Sequence, residues 1–465
     1  MPAVVLVPAA VLRFLDGDEG DYAAAAGLVV DGRLPYHDFL YTQTPVLPYV
    51  YGVWGLLTGE TWLGLRALSV VFALGVAALL YDHLRRRLGG GWAVLGIVLL
   101  SSSTLFFTWY PTVKTYALST LLLFAAYVLL EGEGRLAWRA AAGAGALAGL
   151  SAQTRSLLVG GALVLAWAAW RRTALGAYVL GFAAGLVPSL VFLALDADRF
   201  LFGNLWYHGA RSEGGLVGDF EQKAKVVANL VGIPTESRPL PQFLVLLLAA
   251  VVAAVTLRAA RGAVPLALWT AGGLSVVALL PTPSYTQYFA TTVPFLVVGV
   301  LGLAAYVHER VDPTFARTLG AVALAAYLLL APVDLRRIVV SSTEDRPHAV
   351  QEVGDYVAAR VEPGDEVAGS WAGYLYGTGA RPLPGLENAF APHEAAALTR
   401  AEARRYHVAS AEAVENAIRR RRARLVLVKV WTDLPPIPDY DRAAREGGYR
   451  LAAVVNTVRI YELPD

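Results

Sequence analysis

Long apolar segments recur along the chain up to about residue 335 and are separated by polar stretches. A helix needs roughly 20 residues to cross a bilayer, and lipid admits only elements whose backbone groups bond internally. The pattern therefore predicts a polytopic α-helical membrane protein of about eleven transmembrane helices. The predicted helices lie near 2–15, 61–81, 92–109, 113–130, 140–154, 156–170, 174–195, 241–257, 263–280, 289–307 and 317–334.

The polar stretches between these segments differ in length. The segment 140–170 is too long for one crossing and short for two, so SAQTRS (151–156) is predicted to form a tight turn. Two stretches are long, 16–60 and 196–240. Within the first, helical patterns from Glu19 to about Val30 and from Pro45 to about Leu57 suit helices that lie along a membrane surface.

After residue 335 the pattern changes to helices that alternate with strands. An amphipathic helix, a Pro-Gly turn and a strand are predicted in RPHAVQEVGDYVAARVEPGDEVAGS (346–370). A charged helix (411–423), a strand (424–430) and a closing strand pair near 450–463 follow. This alternation predicts a small α/β domain over 336–465, beside a membrane module over 1–335.

Composition supports the membrane assignment and excludes several classes of function. The chain is 56% hydrophobic and only 16% charged, with a mean hydropathy of +0.50. A formal net charge of +2 gives no field that would attract nucleic acid. The absence of cysteine excludes disulfides, zinc–thiolate sites and iron–sulfur clusters.

Basic residues fall in alternate loops and predict the orientation. The clusters are HLRRR (83–87), Arg135 with Arg139, Arg171 with Arg172, Arg258 with Arg261, and Arg310 with Arg317. One topology, with the N-terminus cytoplasmic and the C-terminal domain extracytoplasmic, places every cluster inside. It also places 16–60, 196–240 and 336–465 outside. The N-terminal segment is predicted to be a retained span, because it lacks a charged n-region.

The first outer stretch combines an acidic cluster with aromatic motifs. DEGDY (18–22), DGRLPYHDF (31–39) and TPVLPY (44–49) follow one another. This run resembles the DE-x-x-Y, G-x-x-x-Y-x-D-F, PP-L-x-Y pattern in the first outer loop of C-type (GT-C) membrane glycosyltransferases. It is most similar to the branch that holds protein O-mannosyltransferases and the lipid A aminoarabinose transferase. Softer similarities lie in AGLSAQTRSL (148–157) and PTPSYTQYFATTVPFL (281–296).

The resemblance implies an inverting glycosyltransferase whose donor is a sugar on a polyprenyl phosphate. The family's catalytic carboxylate falls on Asp18, with Glu19 beside it. A carboxylate that accepts a proton from the acceptor hydroxyl is typically worth about 10²–10⁴-fold in rate. Two departures from the family pattern are Thr44 in place of a proline and Lys114 near a common acidic position. The second weakens the carry-over of a metal site, so a divalent cofactor stays open.

Further residues are predicted around the donor and the acceptor. The departing phosphate needs positive charge. Candidates for donor phosphate binding are Arg155, Lys114, Arg211 and His208. Candidates for substrate binding are Tyr22, Tyr36, His37, Asp38, Tyr285, Gln287 and Tyr288.

Each candidate also has a structural interpretation. Asp18 could cap a helix and Glu19 could be a first-turn charge. Tyr36, His37 and Asp38 could form a polar turn around Pro35. Lys114 and Arg155 could snorkel to the interface, and Tyr285, Gln287 and Tyr288 could be interfacial residues. RRRR (419–422) is read as a solvated helix face.

Two other functions remain open: a transporter or flippase of lipid-linked saccharides, and a non-catalytic assembly subunit. A transporter should carry inverted repeats and ionisable residues within several spans, whereas charges here concentrate at the predicted outer face. An assembly subunit does not account for the DE-x-x-Y run. The expected partners are the lipid bilayer, a polyprenyl-phosphate sugar, and a glycan, lipid or protein acceptor. The Ala-, Gly- and Arg-rich composition favours a prokaryotic plasma membrane.

Overall fold

The computed structural model describes residues 1–132, 134–210, 215–235, 239–340, 343–394, 398–429 and 438–464. Up to residue 340 its regular elements are helices. The α-helices of this part are Pro2–Leu12, Gly17–Val30, Val46–Thr58, Trp62–Leu88, Gly90–Ser102, Thr104–Trp109, Tyr116–Leu130, Trp138–Thr154, Val159–Arg171, Leu175–Gly185, Val187–Leu195, Ala197–Leu201, Tyr207–Ala210, Gly215–Leu230, Pro241–Arg261, Leu266–Ala278, Val293–His308 and Pro313–Val340. Short 3₁₀ or π turns occur at Ser156–Leu158, Phe202–Trp206 and Thr286–Thr292.

Every predicted apolar segment is helical, but fewer helices than predicted are long enough to span a membrane. Among the described residues, three qualify by length and composition: Trp62–Leu88, Pro241–Arg261 and Thr286–His308. A fourth arises if Leu175–Gly185 and Val187–Leu195, bent by 51°, form one span. Breaks such as Ser103 and the extended Arg155 divide other segments into shorter helices. The number of about eleven spans is therefore not confirmed.

Contacts between Cα atoms divide the chain into two compact units. The first unit comprises the described residues of Met1–Ala10, Ser69–Ser189 and Ser212–Val340. The second unit comprises those of Val11–Leu68, Leu190–Arg211 and Ser341–Asp465. Most of the three stretches predicted to lie outside thus belong to the second unit, whereas 215–235 belongs to the first. The division of the chain at residue 335 stays a prediction.

Small residues let the helices of the first unit pack closely. A Cβ added to Gly145 would lie 2.0 Å from Tyr178 O, and one added to Gly181 would lie 1.9 Å from Ala142 O. These helices therefore touch backbone to backbone, as small-residue interfaces in membranes do. The Ala- and Gly-rich sequence of 140–185 is explained by this packing.

Basic loops of the first unit lie side by side. Glu131 Oε2 is 2.8 Å from His83 Nε2 and 3.4 Å from Arg87 Nη2. Arg172 Nη1 donates to Leu130 O at 2.7 Å. The loops that follow three of the predicted spans therefore meet at one end of the unit, which agrees with the alternation of basic clusters in the sequence.

The second unit contains the predicted α/β fold. Its strands are β1 (Glu366–Gly369), β2 (Arg381–Pro382), β3 (Leu425–Val428), β4 (Arg450–Val455) and β5 (Val458–Glu462), in the sheet order β2-β1-β3-β5-β4. β1 pairs in parallel with β2 and β3, whereas β3–β5 and β5–β4 are antiparallel. Its helical elements after residue 342 are Thr343–Asp345, Pro347–Ala358, Ala372–Leu375, Ala391–Glu394, Arg400–Arg405, Ala411–Arg419 and Tyr440–Glu446.

β3 forms the centre of this sheet. All four of its residues are buried, as expected for a strand covered on both faces. Val414 and Ile418 of one helix and Ala443 of another belong to the same apolar cluster as Val426. The helix predicted over 411–423, the strand over 424–430 and the strand pair near 450–463 are confirmed by Ala411–Arg419, β3, and β4 with β5. The two-residue strand β2 was not predicted from the sequence.

Candidate active site

The acidic cluster begins the helix Gly17–Val30, which we call the Asp18 helix. Asp16 is the N-cap: its Oδ1 accepts the N–H of Asp18 at 3.2 Å, and Glu19 Oε1 accepts the N–H of Asp16 at 3.2 Å. This reciprocal pair is a capping box. The interpretation of Asp18 as the N-cap is therefore wrong, because Asp16 fills that position. Asp18 lies in the first helical turn with a half-buried side chain.

Glu19 is enclosed by two arginines. Arg66 forks onto its carboxylate, with Nη2–Oε1 at 2.6 Å and Nε–Oε2 at 3.0 Å, and Arg13 Nη1 lies 3.5 Å from Oε1. Arg66 Nη1 also donates to Arg13 O at 2.7 Å. Glu19 and Arg66 are both 0% exposed. A bidentate, fully enclosed pair fixes geometry, so Glu19 is built into the support of the turn that carries Asp18.

A tryptophan from the C-terminal part of the second unit contacts the same turn. Trp371 Nε1 donates to Gly17 O at 2.7 Å, and its ring stacks on Trp62 with centroids 5.6 Å apart. A Cβ added to Gly20 would lie 2.1 Å from Trp371 Cε2. Only glycine at position 20 admits the indole at this distance. The first turn of the Asp18 helix is thus held by its cap, by Arg66 and by Trp371.

The segment LPYHDF folds as a strained polar turn. Tyr36 has a φ of 66°, and its hydroxyl donates to Gln43 O at 2.5 Å. Its ring packs edge-on against Phe200, with centroids 5.0 Å apart. A left-handed tyrosine costs about 1–3 kcal/mol and persists only where its surroundings hold it.

Asp38 forms hydrogen bonds with the His37 ring and with the backbone of the turn. Asp38 Oδ2 accepts the N–H of Leu34 at 2.7 Å, and Oδ1 lies 2.7 Å from His37 Nδ1. Burial alone would raise the pKa of Asp38, but the bonds from Leu34 and His37 hold that pKa below its usual value. These contacts match the interpretation as a polar turn, and the substrate-binding role of both residues stays a prediction.

The other candidates of the second unit lie around the same segment. His208 Nε2 lies 2.8 Å from Thr42 O. The stretch that begins at residue 196 is therefore hydrogen-bonded to the stretch 16–60. Tyr22 is buried and meets Tyr41 edge-on, with centroids 6.4 Å apart. Arg211 lies outside the described residues.

The first unit holds a second cluster of candidates around Arg155. This residue is extended, with a φ of −153°, where the helix Trp138–Thr154 ends, as the predicted turn at SAQTRS requires. Its guanidinium carbon lies 4.7 Å from the Tyr116 ring centroid and 4.5 Å from that of Tyr288. Nη1 donates to Thr115 Oγ1 at 2.9 Å. Arg155 is only 6% exposed, so the two rings form a cation–π enclosure for it.

Lys114 is next to Thr115 and is also buried, at 3% exposure. Its Nζ lies 5.0 Å from the ring centroid of Trp109. Tyr288 belongs to this cluster through its ring contact with Arg155. Tyr285 is exposed, and its ring meets that of Tyr288 edge-on with centroids 5.6 Å apart. Gln287 is half-buried.

Sequence reasoning missed the supporting residues of both clusters. Arg66 stands in the apolar run TWLGLRALSVV, where a charge is costly and therefore carries a signal. Arg13 ends the first apolar stretch in the same way. Tyr116 carries no such signal, because aromatic residues are common in membrane segments. Trp371 carries none either, because a tryptophan in an α/β domain is usually a core residue.

Metal ligands are not gathered in the described part of the chain. No group of three or more His, Asp or Glu side chains there could hold a metal ion.

A scan against protein-family models and a search of curated proteins found no match. Two similar solved structures are those of ArnT from Cupriavidus metallidurans. The one bound to undecaprenyl phosphate aligns with a TM-score of 0.68 and 13% identity, over 100% of this chain and 98% of that chain. The apo structure aligns with a TM-score of 0.67 and 14% identity, over 99% and 97%.

The chain has the ArnT fold. ArnT is an aminoarabinose transferase of the GT-C class, so the resemblance in the first outer loop is confirmed at the level of the fold. The fold is that of a multi-pass membrane protein. An Archaeoglobus fulgidus oligosaccharyltransferase in complex with Zn and sulfate aligns less well, with a TM-score of 0.49 and 11% identity over 92% of this chain and 67% of that chain.

Proposed function

We propose that this chain is an inverting glycosyltransferase that moves a sugar from a polyprenyl phosphate to an acceptor hydroxyl. The observation that carries the proposal is the construction of the first turn of the Asp18 helix. Its cap, the Glu19–Arg66 pair and Trp371 hold one half-buried carboxylate in place. Such support is what a positioned catalytic group requires. The full-length likeness to ArnT, whose structure contains undecaprenyl phosphate, supports the donor class.

Asp18 acts as the general base in this proposal. The acceptor hydroxyl gives its proton to the Asp18 carboxylate while its oxygen bonds to the anomeric carbon. The bond from that carbon to the phosphate oxygen breaks, and polyprenyl phosphate leaves with the electron pair. Attack from the side opposite the leaving group inverts the anomeric centre. Glu19 positions Asp18 by holding the turn to Arg66 and does not itself take the proton.

Arg155 and Lys114 are proposed to stabilise the phosphate. Departure of the sugar increases the negative charge on the phosphate, and fixed cations lower the energy of that state. The rings of Tyr116 and Tyr288 and the hydroxyl of Thr115 fix the Arg155 side chain. A guanidinium held in this way can fork onto two phosphate oxygens. A divalent metal, the sugar and the acceptor are left open by the proposal.

The orientation follows the alternation of basic loops. We place the N-terminus in the cytoplasm and the C-terminal α/β domain outside the cell membrane, because that topology puts every basic loop of the sequence on the cytoplasmic side. The acceptor is then a glycan, lipid or protein of the outer face.

Asp18→Asn tests the proposed base. We expect the purified variant to bind donor lipid as the parent does but to lose at least about 10²-fold in transfer of radiolabelled sugar, because an amide cannot accept the proton. Asp355→Asn, at an exposed carboxylate of the same unit, is the matched control and should retain full transfer. Full transfer by Asp18→Asn would contradict the assignment. If the parent moves lipid-linked saccharide across vesicles without transferring sugar, the transporter alternative takes its place.

A further inference from the structure

The first two turns of the Asp18 helix are accessible on one side. Among residues 17–24, Gly17, Asp18 and Asp21 are partly exposed, and the other five are buried. Successive helical residues are rotated by about 100°, so these three positions share one side of the helix. A molecule that gives its proton to Asp18 must therefore approach on this side.

The segment 387–390, which we call the Phe390 segment, borders this accessible side. The N–H of Ala389 donates to Asp21 Oδ1 at 3.1 Å. A Cβ added to Gly17 would lie 3.1 Å from Phe390 Cζ, so the rim of the phenyl ring lies against position 17. Phe390 is itself half-buried. The ring therefore stands beside the approach to the proposed base, within the second unit.

Hydrogen bonds fix the backbone of the Phe390 segment. Asn388 Oδ1 accepts the N–H of Phe390 at 2.9 Å, and Glu387 Oε2 accepts the N–H of Gly385 at 2.7 Å. Asn388 and Glu387 are only 5% and 4% exposed. A ring on a fixed backbone loses little freedom when a ligand packs against it. Phe390 is thus a preorganised surface.

The accessible side combines an aromatic ring with two carboxylates. The face of a phenyl ring carries partial negative charge and attracts polarised C–H groups. Each carboxylate of Asp18 and Asp21 offers about four lone-pair sites to hydroxyl donors. A pyranose supplies both partners, with C–H groups on one face and hydroxyls around its rim. A Ser or Thr hydroxyl brings at most one methyl group and leaves the ring uncovered, and two carboxylates repel an anionic acceptor.

We propose that Phe390 is a platform on which a neutral pyranose ring of the acceptor stacks. The inference rests on the proposed function and names its acceptor class, the sugar of a glycan or glycolipid rather than a Ser or Thr hydroxyl. In this arrangement the C–H face of the sugar covers Phe390, and the reacting hydroxyl on its rim reaches Asp18. Phe390 then determines specificity and takes no part in proton transfer.

Saturation-transfer difference NMR on the full chain, without donor, tests the proposal. The protein is held in lauryldimethylamine oxide, because a detergent with a sugar headgroup would compete. The probes are the methyl β-glycosides of glucose, galactose and N-acetylglucosamine, and methyl β-glucuronide is the anionic counterpart of the first. We expect saturation of the ring C–H protons of at least one neutral glycoside and weaker binding of the glucuronide. N-acetylserine methylamide, which stands for a protein acceptor, should give little signal.

Variants show whether the phenyl ring carries the binding. Phe390→Leu keeps apolar bulk and removes the ring face, so glycoside affinity should fall by roughly tenfold, whereas Phe390→Tyr should retain it. Trp206→Leu removes an exposed aromatic ring of the same unit and is the matched control. Full binding by a folded Phe390→Leu variant, or binding of none of the three neutral glycosides, would overturn the proposal. Tighter binding of the serine probe than of every glycoside would overturn it as well.

Transfer assays separate failure of this inference from failure of the proposed function. In a parent that transfers sugar to a glycoside, Phe390→Leu should raise the KM for that acceptor by roughly tenfold and leave donor affinity unchanged. Transfer to a peptide hydroxyl that Phe390→Leu leaves intact would contradict the platform alone. Glycoside binding that depends on Phe390, in a parent without transfer activity, would contradict the proposed function and leave the sugar site standing.

Discussion

At the residue scale, the Arg155 guanidinium lies between the rings of Tyr116 and Tyr288, and its Nη1 donates to Thr115 Oγ1. Two substitutions test its charge and its shape separately. Arg155→Lys keeps the charge and loses the fork, so we expect partial transfer activity. Arg155→Ala should lose most turnover, because no cation replaces it at the leaving phosphate. The measurement is kcat and donor affinity on purified protein at equal expression. An Arg155→Ala variant with unchanged rate and donor affinity would move the phosphate role to Lys114.

Glu387 gives a pH prediction at the same scale. It is 4% exposed, and burial raises its pKa to about 7, although the N–H groups of Glu387 and Gly385 oppose the shift. The folded state therefore keeps a proton that the unfolded state has lost above its ordinary value of 4.5. Stability should fall as the pH rises from 4.5 to about 7, by about 3 kcal/mol, and then level off.

The variant Glu387→Gln removes this titration while keeping an acceptor for Gly385. The difference in thermal midpoint, variant minus parent, should increase from pH 5 to pH 8. It is measured by heating the full chain in detergent. The exposed Glu362→Gln variant is the control and should track the parent at every pH. A constant difference between Glu387→Gln and the parent would show that Glu387 is already ionised when buried.

At the scale of elements, the contact of Trp371 with the Asp18 helix should control catalysis. Gly20→Ala places a Cβ about where the indole lies, 2.1 Å from Cε2, so the turn or the ring must shift. A displacement near 1 Å costs roughly 10²-fold in rate, so we expect kcat to fall by about that factor with KM little changed. Gly27→Ala, on the same helix, meets only Tyr376 Cδ2 at 3.9 Å and gains the same helix propensity.

A second substitution separates positioning from general damage. Trp371→Leu removes the indole atoms that the new methyl group would meet, so Gly20→Ala with Trp371→Leu should recover part of the kcat lost by Gly20→Ala alone. Thermal midpoints of all variants show whether folding follows the same order. Equal kcat for Gly20→Ala and Gly27→Ala would contradict the role of this contact.

At the scale of the whole molecule, the basic loops predict the orientation. Arg261 and Arg310 both lie over the ring of Tyr306, at 5.2 and 4.0 Å from its centroid, so two further basic loops meet at one place in the first unit. Reporter fusions at His83 and Arg171 should give cytoplasmic signals, and a fusion at Pro363 should give an extracytoplasmic one. A cytoplasmic signal at Pro363 would reverse the proposed placement of the C-terminal domain.

The sequence by itself determined where the apolar helices and most strands lie, whereas helices such as Gly215–Leu230 and Tyr440–Glu446 were not predicted. Apolar runs fix the helices because lipid admits no other isolated element, and the alternation after residue 335 fixed the α/β fold. The breaks at Ser103 and Leu186 were not predicted, since periodicity reports apolar length and not where a helix bends. The short strand β2 was not predicted, because two residues are too few to show a periodicity.

Within the candidate site, the sequence located Asp18, Glu19 and Arg155 through local motifs. Only the tertiary structure decided what surrounds them. Asp16 takes the cap, Arg66 closes on Glu19 across 47 positions, and Trp371 reaches Gly17 across 354. Such contacts join segments distant in the chain, so no local pattern encodes them. A motif specifies which groups are available, whereas packing decides which of them is enclosed as support and which is left to react.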